Sequence, residues 1–137
     1  MAVTDTRVGF VGLGRMGGNM AARLLAGGYT VSGWTRRRES AEQLIADGLR
    51  WCDSARAAAQ AAEVVLTSLP DDDALEEVAA GPEGLLAGLD RGRIWVDTST
   101  VSPQASRELA LQVSERGSAM LDAPVSGSVQ HLSLIHI

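Results

Sequence analysis

Two kinds of apolar pattern alternate along the chain. Short runs rich in β-branched residues recur, and between them lie longer stretches where Ala and Leu interleave with charged residues. The runs predict strands at 7–11, 29–34, 49–52, 63–69, 94–97 and 119–122. The stretches predict helices at 19–26, 40–47, 54–62, 72–80 and 103–116. Gly27-Gly28, Gly48 and Gly117 stop three of them, Asp53 or Ser54 caps the third, and Pro103 opens the last. Acids at the start of 72–80 suit the positive end of a helix dipole. Strands alternating with helices argue for a parallel sheet. No linker, repeat or low-complexity segment interrupts the pattern, so the expectation is one doubly wound α/β domain.

Composition narrows the chemistry. The chain has 137 residues, of which 45% are hydrophobic and only 4% aromatic, so its core must be aliphatic. A net charge of −5 speaks against a nucleic-acid partner. A single cysteine, Cys52, excludes an internal disulfide framework and a cysteine-rich metal site. All 12 basic residues are Arg, and there is no Lys. Both histidines, His131 and His136, fall in the final stretch, so no earlier His can serve as base or zinc ligand. Residues 1–6 carry Asp5 and no apolar run, and no stretch reaches membrane-span length. A cytoplasmic protein without a membrane partner is expected.

The first strand runs into Gly12-Leu13-Gly14-Arg15-Met16-Gly17, which is G-x-G-x-x-G opening the first helix. Gly12 permits the tight turn, Gly14 lets a pyrophosphate approach the backbone, and Gly17 lets helix and strand pack closely. The pyrophosphate would lie on the helix N-terminus. The second strand ends Gly33-Trp34-Thr35-Arg36-Arg37-Arg38, with no acid before Glu39. A site for NAD usually places an acid there to accept from the ribose 2′-hydroxyl. Arg36 instead offers a guanidinium for a 2′-phosphate and a flat face for adenine. The expectation is a Rossmann domain that favours NADP(H), with NAD(H) possible. Alternatively, the three arginines form a solvated loop or cap nearby helix ends.

Several segments together resemble the β-hydroxyacid dehydrogenases, the family of 3-hydroxyisobutyrate dehydrogenase, tartronate semialdehyde reductase and 6-phosphogluconate dehydrogenase. The segment from Phe10 to Gly17, with Met20-Ala21, resembles the family's opening. Ser68-Leu69-Pro70-Asp71 is similar to its Leu-Pro turn, and Asp97-Thr98-Ser99-Thr100 to its Asp-x-Ser-Thr segment. Asp122-Ala123-Pro124-Val125-Ser126-Gly127 is similar to its substrate motif. The resemblance implies that Gly12, Leu13, Gly14, Arg15 and Met16 cradle the phosphates. Thr35 and Arg36 would stand at the adenosine ribose, Trp34 near the adenine, Leu69 and Pro70 against a ribose, and Thr100 by the nicotinamide. Ser126, Gly127 and Ser128 would hold the carboxylate of a small 3-hydroxy acid or its semialdehyde. Ser99 and Thr100 could equally cap the following helix, and Asp97 could simply satisfy loop amides.

The family's catalytic acid/base is a Lys beyond these motifs, on a helical second domain that also builds a homodimer or homotetramer. No Lys is present here, so the resemblance implies a dinucleotide-binding domain over 1–131, missing that second domain and inactive alone. Such a fragment would expose apolar surface where its other half packs. The alternative is a stand-alone NADP(H)-binding module without catalysis. Residues 132–137 read Leu-Ser-Leu-Ile-His-Ile, the translation of a transposon-end sequencing adapter, and are expected to be foreign to the gene.

Overall fold

In the computed structural model, residues 6–124 are described. Six strands form one sheet: β1 (Arg7–Val11), β2 (Thr30–Trp34), β3 (Arg50–Trp51), β4 (Val64–Thr67), β5 (Ile94–Asp97) and β6 (Ala119–Asp122). The order across the sheet is β3-β2-β1-β4-β5-β6, and every pairing is parallel. The expected doubly wound α/β architecture is therefore present, with its reversal of direction between β1 and β4.

Five helices lie between the strands: α1 (Arg15–Ala26), α2 (Glu42–Ala46), α3 (Ala55–Gln60), α4 (Asp72–Ala79) and α5 (Pro103–Glu115). They cover the sheet from two sides. On one, Val8, Phe10 and Val31 pack with Met20, Ala21 and Leu24 of α1 and Leu44 of α2. On the other, Val11, Val65 and Trp95 pack with the alanines of α3, Leu75 of α4, and Leu109 and Val113 of α5. Alternate strand residues supply the two layers, because successive side chains point to opposite faces. At Gly9 an added Cβ would sit 2.8 Å from the Ala58 carbonyl, so α3 rides directly on the strand backbone.

Several boundaries differ from expectation. α1 begins at Arg15, ahead of residue 19, because Gly17 and Gly18 lie inside its first turns and helix propensity alone places the start later. β4 stops at Thr67, since the backbones of Thr98 and Leu69 turn to cross-loop partners there. A 3₁₀ turn, Arg38–Ala41, precedes α2, and a second at Leu86–Gly88 fills a segment with no expected element. Of the two candidate caps, Ser54 caps α3, accepting from the Ala57 N–H at 3.0 Å. Ser102 caps α5, displacing Ser99 and Thr100 from that role, and accepts from the Ala105 N–H at 3.1 Å. Among the described residues, no helix is long and apolar enough to cross a membrane.

Candidate functional site

The site begins at the turn between β1 and α1. Gly12 has φ +92°, and an added Cβ would lie 2.3 Å from the Ser68 carbonyl oxygen, so only glycine fits. At Gly17 a Cβ would meet the Gly12 carbonyl at 2.0 Å, which fixes the close approach of helix and strand. Gly14 is the opposite case. Its φ is −73°, and nothing lies within 4 Å of where a Cβ would stand, so the residue faces open space. Gly14 is also the N-cap of α1, with no side-chain cap bond and no acid in the first turn. The first N–H groups of α1 thus lack side-chain acceptors from the cap, the condition that suits a phosphate.

A cleft of about 350 Å³ opens at this turn, beside the loops that follow β1, β2 and β4. It is lined by Gly12, Gly14, Trp34, Thr35, Arg36, Ser68, Leu69, Pro70, Ala74, Glu77 and Val78. Six of the residues expected to touch cofactor therefore meet in one hollow. Thr100 lies in an adjoining hollow that shares Pro70, with Asp72 and Ser102. Arg15 lies in another, which shares Gly14. Leu13 is 2% exposed and belongs to the core, and Met16 packs against the same core. Leu13 also borders the hollow that holds Gly14 and Arg15. Ser126, Gly127 and Ser128 fall outside the described residues.

A buried polar chain supports the loops on the β4–β5 side. The Trp95 indole N–H donates to Thr67 Oγ1 at 2.9 Å, and Thr67 O–H donates to Asp97 Oδ1 at 2.8 Å. Asp97 Oδ1 also accepts the Ser99 N–H at 3.1 Å, so Asp97 does satisfy a loop amide. Ser99 Oγ in turn accepts the Leu69 N–H at 2.7 Å, which holds the cleft-lining loop after β4. Ser99 is thus a positioning group; a serine two residues past a strand end gives no sign of this in sequence. Asp72 accepts the Ser102 N–H at 2.8 Å. Hydrogen bonds from the Ser102 hydroxyl and backbone hold its carboxyl below the usual range.

The three arginines part ways. Arg38 lies over the Trp51 ring, 5.8 Å from its centroid. Arg36 lines the cleft, and its Nη2 donates to Glu77 Oε2 at 2.9 Å. Sequence reasoning did not single out Ala74, Glu77 or Val78 as lining residues. They share one face of α4, at a spacing that only the packed fold aims into the cleft.

The residues fit a dinucleotide on observations independent of any bound molecule: an uncapped helix start, a glycine facing open space, and a cation in the same cleft. Together with the strand order they define a dinucleotide-binding domain. The chain belongs to the family described as the NAD binding domain of 6-phosphogluconate dehydrogenase, which matches residues 7–133. It is similar to 3-hydroxyisobutyrate dehydrogenase of Pseudomonas aeruginosa, with 38% identity over 124 residues, 90% of this chain and 42% of the relative. It is also similar to the cytokine-like nuclear factor N-PAC of Danio rerio, with 35% identity over 127 residues, 93% of this chain and 28% of the relative. Among solved structures, Psf3 in complex with NADP+ and 2-OPP superposes with a TM-score of 0.85 at 38% identity, over 90% of this chain and 44% of that one. The chain thus spans less than half the length of these relatives.

Proposed function

We propose that this chain is the cofactor-holding part of an NADP-dependent oxidoreductase acting on a small 3-hydroxy acid or its semialdehyde, in the manner of a 3-hydroxyisobutyrate dehydrogenase. The observation that carries this is the uncapped start of α1 at Gly14, in one cleft with Thr35 and Arg36. The pyrophosphate rests on backbone N–H groups of the turn from Gly12 to Gly17. Thr35 and Arg36 receive the 2′-phosphate, through a hydroxyl and a charged fork. Leu69 and Pro70 lie against a ribose, and Thr100 stands by the nicotinamide. When bound, the cofactor supplies the hydride that its ring exchanges with substrate. Ser126 offers a hydroxyl, and Gly127 and Ser128 backbone N–H groups, to the substrate carboxylate. The sequence has no Lys, so a proton on the substrate oxygen has no such donor here, and the chain alone turns over no hydroxy acid.

In this reading the domain occupies 1–131, the whole protein is a cytoplasmic homodimer or homotetramer, and 132–137 are foreign to the gene. A natural stop codon after Ile137 at the intact locus would refute the last point. A second reading is an NADP(H)-binding module without catalysis. Its support is the missing Lys and the similarity to a protein named as a nuclear factor.

The test is titration of the purified chain with NADPH and NADH, followed by energy transfer from tryptophan to the nicotinamide. Trp34 lines the cleft and serves as donor. NADPH should bind more tightly, and Arg36→Ala should abolish the preference. Equal binding of both would remove the NADP assignment, and no binding by a folded sample would remove the cofactor reading.

A further inference from the structure

The end of β2 lacks the acid that a site for the unphosphorylated dinucleotide would carry, yet the cleft does contain one. Glu77 reaches it from α4, whereas Thr35 and Arg36 enter from the end of β2. Its Oε2 stands 2.9 Å from Arg36 Nη2. Both side chains are well exposed, 73% for Arg36 and 69% for Glu77, so the pair is screened and readily exchanged. A carboxylate accepts from a ribose hydroxyl and repels a phosphate, whereas a guanidinium does the reverse. In the free cleft, the donor suited to a 2′-phosphate is already engaged by an acid.

We infer that Glu77 is a specificity-determining residue: it competes with the 2′-phosphate for Arg36 and holds down the cleft's preference for NADP(H). This rests on the proposed function, because it presumes that the adenosine ribose lies beside Arg36. Nucleotide choice then belongs to the pair, not to Arg36 alone. Removing the carboxylate frees the guanidinium and removes the repulsion, and both effects favour the phosphorylated nucleotide. An exposed ion pair is worth at most about a fivefold change in an equilibrium, which bounds the effect.

Glu77→Gln keeps size and helix propensity and removes only the charge. Titrating the full chain with NADPH and NADH at low salt, the ratio of their affinities should shift toward NADPH by roughly two- to fivefold in this variant. The gain should shrink at about 0.5 M salt, where the screening length falls well below that of physiological buffer. It should shrink again when Glu77→Gln is made in an Arg36→Ala background, because the competition then has no object. Far-UV circular dichroism checks that the helix persists, and Glu77→Ala repeats the charge removal with another side chain. If the wild type binds NADPH and neither variant moves the ratio upward, the role of Glu77 is overturned while the dinucleotide reading stands. If the folded wild type binds neither nucleotide, that reading fails and this inference with it.

Discussion

Gly14 and Gly17 are three residues apart in one turn, yet they separate binding from folding. At Gly17 a Cβ would collide with the Gly12 carbonyl, so Gly17→Ala should cost about 1–3 kcal/mol of stability, read by urea denaturation. At Gly14 the φ of −73° suits any residue and the space is open. Gly14→Ala should therefore leave stability within about 1 kcal/mol of the wild type, the chain-entropy gain being offset by alanine's poorer N-cap, while its methyl group lowers nucleotide affinity severalfold in the same titration. The thiol of Cys52 gives a further check. Burial, and then the charge of Asp53, push it above its ordinary range against hydrogen bonds from Gly33 and Ser32. Alkylation near neutral pH should be slower in the folded chain than in denaturant. The roles of Gly12 and Gly17 were legible in the sequence because a motif fixes their spacing along the chain. Glu77 was not: it lies 41 residues from Arg36, and an acid on an amphipathic helix looks like any solvated charge until the helix is placed.

Two helices are tied through Ser102. Its hydroxyl caps α5, and Asp72 in the first turn of α4 accepts from its N–H. Ser102→Ala should cost about 1 kcal/mol through the lost cap. It should also let the Asp72 carboxyl rise toward the ordinary range, measurable by NMR titration. Asp72 is held low in the folded chain, so its contribution is present above the unfolded value of about 4 and disappears as pH falls through the lower folded value. The variant should thus lose its Asp72 contribution at a higher pH than the wild type. Strand-end Thr67 is more exacting, because it joins the Trp95 indole to Asp97 in the interior. Thr67→Val would leave the Trp95 indole N–H without its acceptor, at about 1–3 kcal/mol, and would take one of the two donors from Asp97 Oδ1, which keeps the Ser99 N–H. Strands and helices were legible from apolar periodicity, and Gly and Pro marked their ends. Caps were less so, since Ser99, Thr100 and Ser102 are chemically alike and only the backbone path selects among them.

Over the whole molecule, the two sheet faces are covered unequally. Among the described residues, Ile94 and Val96 of β5, with Ala119 and Leu121 of β6, share the face that α1 and α2 cover over β1 and β2 and as far as Leu66 of β4. There Ile94 is 37% and Leu121 56% exposed. Exposed apolar residues on neighbouring strands form a strip that favours association. The isolated chain should associate as concentration rises, and Leu121→Glu should reduce that association in sedimentation velocity without unfolding the domain. The alternation of strands and helices made this architecture readable in advance; the place of the exposed strip on β5 and β6 was not, because β6 carries the same apolar pattern as a covered strand. The strand order has one more consequence, for synthesis. β1 lies in the middle of the sheet, with β2 and β3 on one flank and β4, β5 and β6 on the other. Each strand leaving the ribosome is therefore added at an open rim, and none has to be inserted between two already paired. The sheet can grow outward from its first-made strand as translation proceeds, and every stalled intermediate offers an unpaired edge to a chaperone or to another nascent chain.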